Sequence, residues 1–516
     1  MSRPDTPTMP PESPRARRVG AVWLPVLLCA ALALRLVFFG GLLGWDDLEY
    51  WEGARALRAG HYVPTSTFQL RYTLTVPLAV GQAWLGEGEW VLALVPFAYS
   101  AAHLALAWGV GLLLGGASLA AAAVALLAIV PLDVIAATDL HSDLTLAVFL
   151  GASVYAMLRG EREPRRAGAW LGLAGVALGL ATATKEVALA LLPVLILRLW
   201  LVNRWAAEAT YRWLVAGFIA VAVAEMAWLG IVTGDPLYRY RGPIAGYHAA
   251  TMLPRPPGYA WMLVYPDMLL NPSSGSFGYF AGIFYLVAAS TVWALRRSQP
   301  TVGQLGVWWG CLLVLFNFAP LDASFTRPLF HHFARTLHPL LMPFALSAAL
   351  WLLVALQGRG RLRMAVGGAV VVLAAIGIVT THADYHAWTV VARQATPVIE
   401  RLPAEARVVT DPVTAAQLRF LLPGRRGRIA SYTDSAGTTG GEPLFVLSDP
   451  QRLAEAGRRG HVPPESMTTP PASWEAVTHF PRPQRRSLRG DVWRVFDRGP
   501  ATTTGPDGAV LWRVKA

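Results

Sequence analysis

Two adjacent carboxylates, Asp46 and Asp47, directly follow the first long apolar segment of the sequence. Neighbouring carboxylates raise each other's pKa and can hold a proton or a divalent cation beside a reacting hydroxyl. Apolar residues at Leu48, Trp51 and Leu57 recur at helical spacing, which predicts an amphipathic helix lying at a membrane surface. The carboxylates then have two interpretations: general-base chemistry at that surface, or an Asp cap stabilised by the helix dipole.

A second acidic group occurs in ATDLHSDLTL, between two later apolar segments, and contains Asp139, His141 and Asp143. Asp139 and Asp143 are four residues apart, so they would share a helix face if the helix began early, with His141 turned aside. One interpretation is metal or substrate binding. The other is capping of the following helix by Asp139 or Ser142.

Basic side chains occupy similar positions at the ends of apolar segments. Lys185 and Glu186 lie between two such segments in ATATKEVALALL, and Arg335 and His338 enter a late one in FARTLHPLL. Arg and Lys can neutralise a lipid phosphate, and His can donate a hydrogen bond to it. The alternatives are an ion pair near the lipid headgroups, snorkelling of the arginine to the interface, and an ordinary polar contact of the histidine.

The elements that position these side chains are predicted to be membrane helices. Of 516 residues, 54% are apolar and 15% are charged, against roughly a quarter charged in an ordinary soluble domain. The mean hydropathy is +0.42. This composition excludes a water-soluble enzyme, a disordered chain and a fibrous fold. The two cysteines, Cys29 and Cys311, both lie in apolar segments, which excludes a disulfide framework and a cysteine zinc site.

The apolar segments predict a polytopic α-helical membrane protein, because a bilayer core about 30 Å thick needs about 20 apolar residues per helix. About eleven segments meet this requirement: 20–44, 90–115, 118–137, 143–159, 168–183, 187–202, 213–233, 277–295, 304–320, 338–356 and 364–381. Long outer loops are expected at 45–89 and 234–276, and residues 1–19 are expected to be a disordered cytoplasmic tail.

Charge predicts the orientation of the chain. With a cytoplasmic N-terminus, the inner segments would carry 16 basic residues and the outer loops 9, although the outer loops are longer. The positive-inside rule therefore favours this orientation, in a bacterial inner membrane. The net charge of +12 reflects arginines at membrane edges and in the C-terminal region, so no nucleic-acid partner is expected.

A change in composition predicts a second domain. Charged residues number 45 of 381 up to residue 381 and 31 of 135 beyond it. Residues 20–381 are therefore predicted to be the transmembrane domain, and 382–516 an extracytoplasmic α/β domain. Within the latter, strands are predicted at 406–411, 428–432, 442–449, 492–497 and 509–515, and helices at 412–422 and 450–460.

The order of these signals resembles one family. An acidic pair follows the first apolar segment, an acidic group lies in the second outer loop, and TKE precedes the sixth segment. TGDPLYRYR follows the seventh, and Arg-x-x-His-Pro enters a late one. From residue 20 to about 381, the chain is similar to the C-type glycosyltransferases that use polyprenyl-phosphate sugars, such as protein O-mannosyltransferases and lipid A aminoarabinose transferases.

The resemblance implies a function and a site. It implies that a sugar moves from a polyprenyl monophosphate to an extracytoplasmic glycan, lipid or protein, with inversion at the anomeric carbon. Asp46 would be the base with Asp47 beside it. The expected substrate- and phosphate-binding residues are Lys185, Glu186, Arg335, His338, Asp139, His141 and Asp143. The second acidic group corresponds to a motif that helps bind a metal in the oligosaccharyltransferase branch, so the resemblance leaves room for Mg²⁺ or Mn²⁺ without assigning ligands.

Two departures from the family bear on the acceptor. HYVPTSTFQLRY stands where many relatives have His-Pro-Pro, and Arg-Thr-Leu-His-Pro stands where relatives show an Arg-Tyr start. Two other classes of protein remain as alternatives. A lipid or glycan transporter or flippase would have paired charges in mid-membrane and internal helix repeats with broken segments. Arg35 and Glu225 are the only clear mid-span charges in the sequence, no repeat is visible, and both charges are interpreted as packing within the protein. A non-catalytic envelope assembly subunit would tolerate loss of Asp46 and Asp47.

Overall fold

The computed structural model describes residues 14–198, 208–241, 258–274, 276–297, 300–319, 332–357, 360–384, 388–434, 443–458, 461–481 and 508–514. Residues 1–13 of the predicted tail and residues 242–257 and 275 of the second predicted outer loop lie outside these ranges. Helix α1 begins at Pro14, six residues before the predicted end of the tail at residue 19. Proline suits the first turn of a helix because its missing N–H has no intrahelical partner there.

The described part of the chain up to Asp384 is mainly helical. Its α-helices are α1 Pro14–Val37, α2 Asp46–Arg58, α3 Tyr72–Leu85, α4 Glu89–Ile129, α5 Pro131–Ala136, α6 Ser142–Arg162, α7 Ala167–Thr184, α8 Leu191–Arg198, α9 Glu208–Thr233, α10 Tyr238–Arg241, α11 Val264–Leu270, α12 Ile283–Arg297, α13 Pro300–Phe318, α14 Leu341–Gln357 and α15 Arg361–Asp384. Short 3-10 helices occur at Pro164–Arg166, Glu186–Ala190, Gly258–Leu263, Phe277–Phe280 and Ala334–Leu340.

The chain is an integral membrane protein. Within the described ranges, six helices are long and apolar enough to cross a membrane: Glu89–Ile129, Ser142–Arg162, Pro164–Thr184, Thr210–Thr233, Ala334–Gln357 and Arg363–Thr381. Five shorter apolar helices accompany them, at Val22–Val37, Glu186–Leu197, Ala260–Leu270, Ile283–Arg296 and Gly303–Phe318. The figure of about eleven crossings, which came from apolar lengths in the sequence, stays a prediction.

The sequence predicts two apolar segments within the span of α4, because this span consists of two helical parts that meet at a pair of glycines. Gly115 and Gly116 have non-helical backbone angles, and Gly116 has a φ of +80°. A Cβ atom added to Gly111 would lie 2.6 Å from the Cα of Ala120. Residues nine apart in a continuous helix would be separated by about 13 Å, so the chain turns back at the glycine pair.

Close approach of backbones joins α7 to α9. A Cβ atom on Gly175 would lie 1.9 Å from the carbonyl oxygen of Leu214, and one on Gly217 would lie 2.2 Å from that of Gly172. Small residues at such contacts let membrane helices pack by van der Waals contact, since lipid provides no hydrophobic driving force between them. This pair of helices supports the end of α7, where Lys185 follows.

The C-terminal part contains one five-stranded sheet, which confirms an α/β region. Its strands are β1 Arg407–Thr410, β2 Ile429–Ser431, β3 Leu444–Ser448, β4 Glu475–Pro481 and β5 Gly508–Arg513, in the order β2-β1-β3-β5-β4. β1 pairs in parallel with β2 and β3, and β5 is antiparallel to β3 and β4. Its α-helices are α16 Val390–Glu400, α17 Pro412–Leu421, α18 Pro450–Arg458 and α19 Glu465–Thr468.

Sequence patterns located most of this sheet. β1, β2, β3 and β5, together with α17 and α18, lie where the patterns predict them, whereas β4 and α16 were not predicted. The strand predicted at 492–497 lies outside the described ranges. In β4, five of the seven residues are exposed, so it lacks the buried apolar alternation by which the other strands were recognised.

Candidate active site

The loop after α1 is shaped by Asp47. Its carboxylate accepts hydrogen bonds from the backbone N–H groups of Leu43, Gly44 and Trp45, at 2.7, 3.0 and 2.6 Å. Its side chain is fully buried. Burial raises the pKa of Asp47, and the three backbone bonds act in the opposite direction. Asp47 is thus a cap for the preceding loop, and it leaves Asp46, the first residue of α2, as the accessible carboxylate of the pair.

Four side chains from distant parts of the sequence form an alternating row of charges. Arg335 Nη2 lies 3.0 Å from Asp46 Oδ2, and Arg335 Nε lies 3.8 Å from Asp143 Oδ2. Lys185 Nζ donates to Asp143 Oδ1 at 2.5 Å. The side chain of Asp143 is 2% exposed, whereas those of Asp46, Lys185 and Arg335 are 19%, 22% and 34% exposed. The structure therefore brings these four predicted residues together.

These residues meet because each lies at the end of a helix. Asp46 begins α2, Asp143 is in the first turn of α6, and Lys185 directly follows α7. Arg335 lies in the 3-10 helix Ala334–Leu340 that precedes α14. Partial burial lowers the pKa of Lys185, while the adjacent carboxylate of Asp143 opposes this shift.

His141 joins the row, and Asp139 does not. Arg335 Nη1 lies 3.2 Å from His141 Nδ1. Partial burial and the neighbouring guanidinium lower the pKa of His141 to about 4, so its imidazole is neutral at physiological pH and can accept this bond.

Asp139 lies outside α6, because that helix begins only at Ser142, and the two aspartates therefore share no helix face. Asp139 instead forms a β-bridge with Gly41 and packs against Gly40, where an added Cβ atom would lie 1.8 Å from Asp139 Oδ1. The residue at the N-cap of α6 is His141, which makes no side-chain capping hydrogen bond, and the Ser142 hydroxyl accepts a hydrogen bond from Arg71.

Arg71 and Tyr50 extend the site together with Ser142. Sequence analysis missed Arg71 and Tyr50 and considered Ser142 only as a helix cap. Arg71 Nη1 donates to the Tyr50 hydroxyl and, at 3.0 Å, to Ser142 Oγ. Burial raises the pKa of Tyr50 to about 12. The available signal was an arginine directly before the apolar helix α3, in FQLRY. Arg71 adds a third cation beside Lys185 and Arg335.

Glu186 faces a different partner. Arg239, from the TGDPLYRYR segment, lies 2.7 Å from Glu186 Oε1 and also pairs with Glu225. Its guanidinium further donates to the carbonyl groups of Leu70 and Ala183, at 2.8 and 3.1 Å. Glu225, the acid within an apolar segment, is thus neutralised by protein.

His338 lies in a separate, fully buried cluster around Asp133. His338 Nε2 and His103 Nδ1 lie 3.1 and 2.7 Å from Asp133 Oδ1. Arg35 pairs with the other oxygen of Asp133 and donates to Ser100 Oγ at 2.6 Å. Both mid-segment charges therefore belong to ion pairs within the protein, a fully buried one for Arg35 and a partly buried one for Glu225.

Two groups of side chains in the described part of the chain contain carboxylates that could approach a metal ion. His103, Asp133 and His338 bring one possible ligand atom each within 4.8 Å of one another. However, Asp133 is already paired with Arg35, and Mg²⁺ and Mn²⁺ favour sites rich in oxygen ligands. Between Asp46 and Asp143, Arg335 occupies the position that a bridging cation would take. These residues fit buried and bridging ion pairs better than Mg²⁺ or Mn²⁺.

The site has the charge expected for binding an anion beside a base. Arg71, Lys185 and Arg335 provide three positive charges, and Asp46 and Asp143 provide two negative ones. The arginine fork can form two parallel hydrogen bonds to a phosphate, and an ammonium contributes a point charge. Asp46 stands at the edge of this group, where it can accept a proton.

Comparison with known proteins gives one family match and several similar folds. Residues 77–228 match the family described as dolichyl-phosphate-mannose-protein mannosyltransferase. The structure is similar to that of ArnT from Cupriavidus metallidurans in the apo state, with a TM-score of 0.58 and 17% sequence identity. That alignment covers 85% of this chain and 95% of the other. The chain therefore shares the fold of this ArnT structure.

Two further solved structures are similar to that of this chain. The structure of the same ArnT bound to undecaprenyl phosphate aligns with 96% of this chain and 98% of its own, at a TM-score of 0.58 and 17% identity. The apo oligosaccharyltransferase of Archaeoglobus fulgidus aligns with 91% of this chain and 74% of its own, at 12% identity and a TM-score of 0.47, which is too low to carry an argument. A comparison with curated proteins found no significant match. The similarity to the ArnT fold thus extends over nearly the whole chain.

Proposed function

We propose that this protein transfers a sugar from a polyprenyl-phosphate donor to an acceptor outside the cytoplasm, with inversion at the anomeric carbon. The observation that carries the proposal is the row Asp46, Arg335, Asp143 and Lys185, in which a partly exposed carboxylate adjoins partly exposed cations. Such a row offers a proton acceptor and a phosphate-binding group side by side. The fold shared with ArnT, whose structure was determined with undecaprenyl phosphate, supports a donor of this lipid class.

The reaction follows from the charges. Arg335 and Lys185 bind the donor phosphate, and Asp143 keeps both cations in place. When Arg335 turns toward the phosphate, Asp46 is released from its ion pair and becomes available as a base. Asp46 takes the proton of the acceptor hydroxyl, whose oxygen attacks the anomeric carbon while the bond between that carbon and the phosphate oxygen breaks.

The products of this step are the glycosylated acceptor, a protonated Asp46 and the polyprenyl phosphate, whose added negative charge Arg335 and Lys185 stabilise. A single displacement at the anomeric carbon inverts its configuration. Asp47 is assigned a positioning role because its oxygens are occupied by three backbone N–H groups.

Orientation and location are part of the proposal. The excess of arginine in the predicted inner segments supports a cytoplasmic N-terminus in a bacterial inner membrane, which puts Asp46 and the C-terminal α/β domain on the outer side. The proposed acceptor is an envelope glycan, lipid or protein.

The experiment measures polyprenyl-monophosphate sugars by lipid mass spectrometry in cells with the intact gene, a deletion, Asp46→Asn or Glu49→Gln. Glu49 is the matched control, since it lies in the same first turn of α2 but is exposed and contacts Ser66. One donor lipid should accumulate equally in the deletion and in Asp46→Asn, and remain at the wild-type level in Glu49→Gln. Accumulation in the deletion together with a fully active Asp46→Asn protein would remove Asp46 from the base role.

A further inference from the structure

The loop that precedes Asp46 is held by the C-terminal part of the chain. Arg393 of α16 donates to the carbonyl oxygen of Gly40 at 3.1 Å and forms an ion pair with Glu89. Glu89 in turn accepts a hydrogen bond from the backbone N–H of Leu42 at 2.7 Å. The start of the loop is therefore tied to α4 and α16 at once.

The middle of the loop is covered by α17. Gly44 has a φ of +85°, which favours glycine, and a Cβ atom there would lie 2.2 Å from Nε2 of Gln417. Gln417 also donates to the carbonyl oxygen of Trp388 at 3.4 Å. The same side chain thus connects the glycine of the loop with the first described residue after α15.

The end of the loop lies between an aromatic ring and a cation. Trp45 meets Trp388 edge to face, with ring centroids 6.3 Å apart. The Arg452 guanidinium lies 5.4 Å from the centre of the Trp45 ring and 5.6 Å from that of Trp388. Arg452 also donates to the carbonyl oxygen of Trp388 at 2.5 Å. Trp45 is the residue directly before Asp46, so this contact acts on the backbone that presents the carboxylate.

Helix α2 continues the same interface. The rings of Trp51 and Phe420 lie 5.1 Å apart at an edge-to-face angle, and Arg426 lies 2.9 Å from Glu52. Contacts with the C-terminal domain therefore run from Gly40 to Glu52, on both sides of Asp46. The glycines Gly40, Gly41 and Gly44 give this loop a flexible backbone, so its conformation depends both on the hydrogen bonds to Asp47 and on the contacts with the C-terminal domain.

We propose that the C-terminal α/β domain is a positioning element of the active site, and that Arg452 and Gln417 fix the loop 40–45 so that Asp46 faces Arg335 and Asp143. The assignment of a catalytic consequence rests on the proposed function, whereas the conformational consequence does not. Positional errors of about 1 Å can lower catalytic rates by about 100-fold. The domain thus acts on the base through Trp45, without supplying a group to the reaction.

The test compares Arg452→Ala and Gln417→Ala with Arg419→Gln in detergent-purified full-length protein. Arg419 is the matched control, because it bonds the carbonyl oxygen of Ile429 and pairs with Asp434, all within the C-terminal part. Hydrogen exchange followed by mass spectrometry should show exchange about 10-fold faster in peptides covering 40–47 for the first two variants, and unchanged exchange in β1. The control should exchange like wild type at 40–47.

Two functional readouts accompany hydrogen exchange. Binding of undecaprenyl phosphate should stay within about twofold of wild type, while the donor lipid accumulates in cells carrying Arg452→Ala. A charge-retaining Arg452→Lys variant should recover part of the activity. Unchanged hydrogen exchange at 40–47 in both Arg452→Ala and Gln417→Ala would overturn the positioning role. A variant that exchanges faster at 40–47 but consumes the donor lipid at the wild-type rate would overturn it as well. If the wild-type gene itself has no effect on any donor lipid, the proposed function fails, and the exchange result still decides the conformational claim.

Discussion

Removing the Arg335 guanidinium should weaken the binding of polyprenyl phosphate by about 30-fold, as the distances and the exposure of this side chain indicate. The guanidinium lies 3.0 Å from Asp46 and 3.8 Å from Asp143, so a bound phosphate would approach it at a similar distance. Unit charges about 4 Å apart interact by about 4 kcal/mol at an effective dielectric constant of about 20. Because a third of the side chain is exposed, solvent screening reduces this energy to about 2 kcal/mol, equivalent to about a 30-fold change in affinity.

The assay is binding of undecaprenyl phosphate to detergent-purified Arg335→Gln, with Arg241→Gln as the matched control. Arg241 pairs with Asp235 at 3.4 Å, and two thirds of its side chain is exposed. We expect the dissociation constant to rise about 30-fold for Arg335→Gln and to stay unchanged for the control. Arg335→Lys should recover only part of the loss, because an ammonium lacks the planar fork that spans two acceptors. Wild-type affinity in Arg335→Gln would refute the assignment of this cation to the donor phosphate.

Two predictions concern the scaffold. Asp133→Asn should lower the free energy of unfolding by about 3–5 kcal/mol, because it leaves Arg35 buried without its carboxylate. In thermal unfolding, the double variant Arg35→Met with Asp133→Leu should be less destabilised than Asp133→Asn. Equal destabilisation of the two proteins would contradict the role of the ion pair. Gly175→Ala should separate α7 from α9 and lower the melting temperature by several degrees, since its Cβ atom would lie 1.9 Å from the Leu214 carbonyl oxygen. Gly172→Ala is its control, because a Cβ atom there would lie 3.9 Å from its nearest neighbour; equal melting temperatures would show that this close contact is unimportant.

The sequence predicted the members of the site better than their partners. Asp46, Asp143, Lys185 and Arg335 were identifiable because each stands where an apolar segment begins or ends, and such ends meet at a membrane surface. Arg71 was missed because its role depends on Tyr50 and Ser142, which lie 21 and 71 residues away in the sequence. Spacing along one segment carries no information about contacts of that range.

His338 shows how a correct spacing can predict the wrong neighbourhood. Arg335 and His338 are three residues apart in a 3-10 helix, which has three residues per turn and a rise of about 2 Å per residue. They share a face, but His338 lies about 6 Å further along the axis. Arg335 thus reaches Asp46 at the start of α2, while His338 contacts Asp133 in the buried cluster.

The C-terminal region illustrates a similar limit. Alternating apolar residues and turn residues identified the strands β1, β2 and β3, because those strands bury one or both faces. The attachment of the region to the loop 40–45 was beyond sequence analysis. It depends on single side chains, such as Arg452 and Gln417, that look like ordinary residues of amphipathic helices.

The most direct test of the account is transfer by purified protein. Donor lipid isolated from the deletion strain, carrying a radiolabelled sugar, would be incubated with an envelope fraction from the same strain and with wild-type protein, Asp46→Asn or Glu49→Gln. The account predicts that wild type and Glu49→Gln transfer the label with inverted anomeric configuration, and that Asp46→Asn binds undecaprenyl phosphate but transfers at least about 100-fold more slowly. Retention of configuration, or transfer by Asp46→Asn at the wild-type rate, would contradict it.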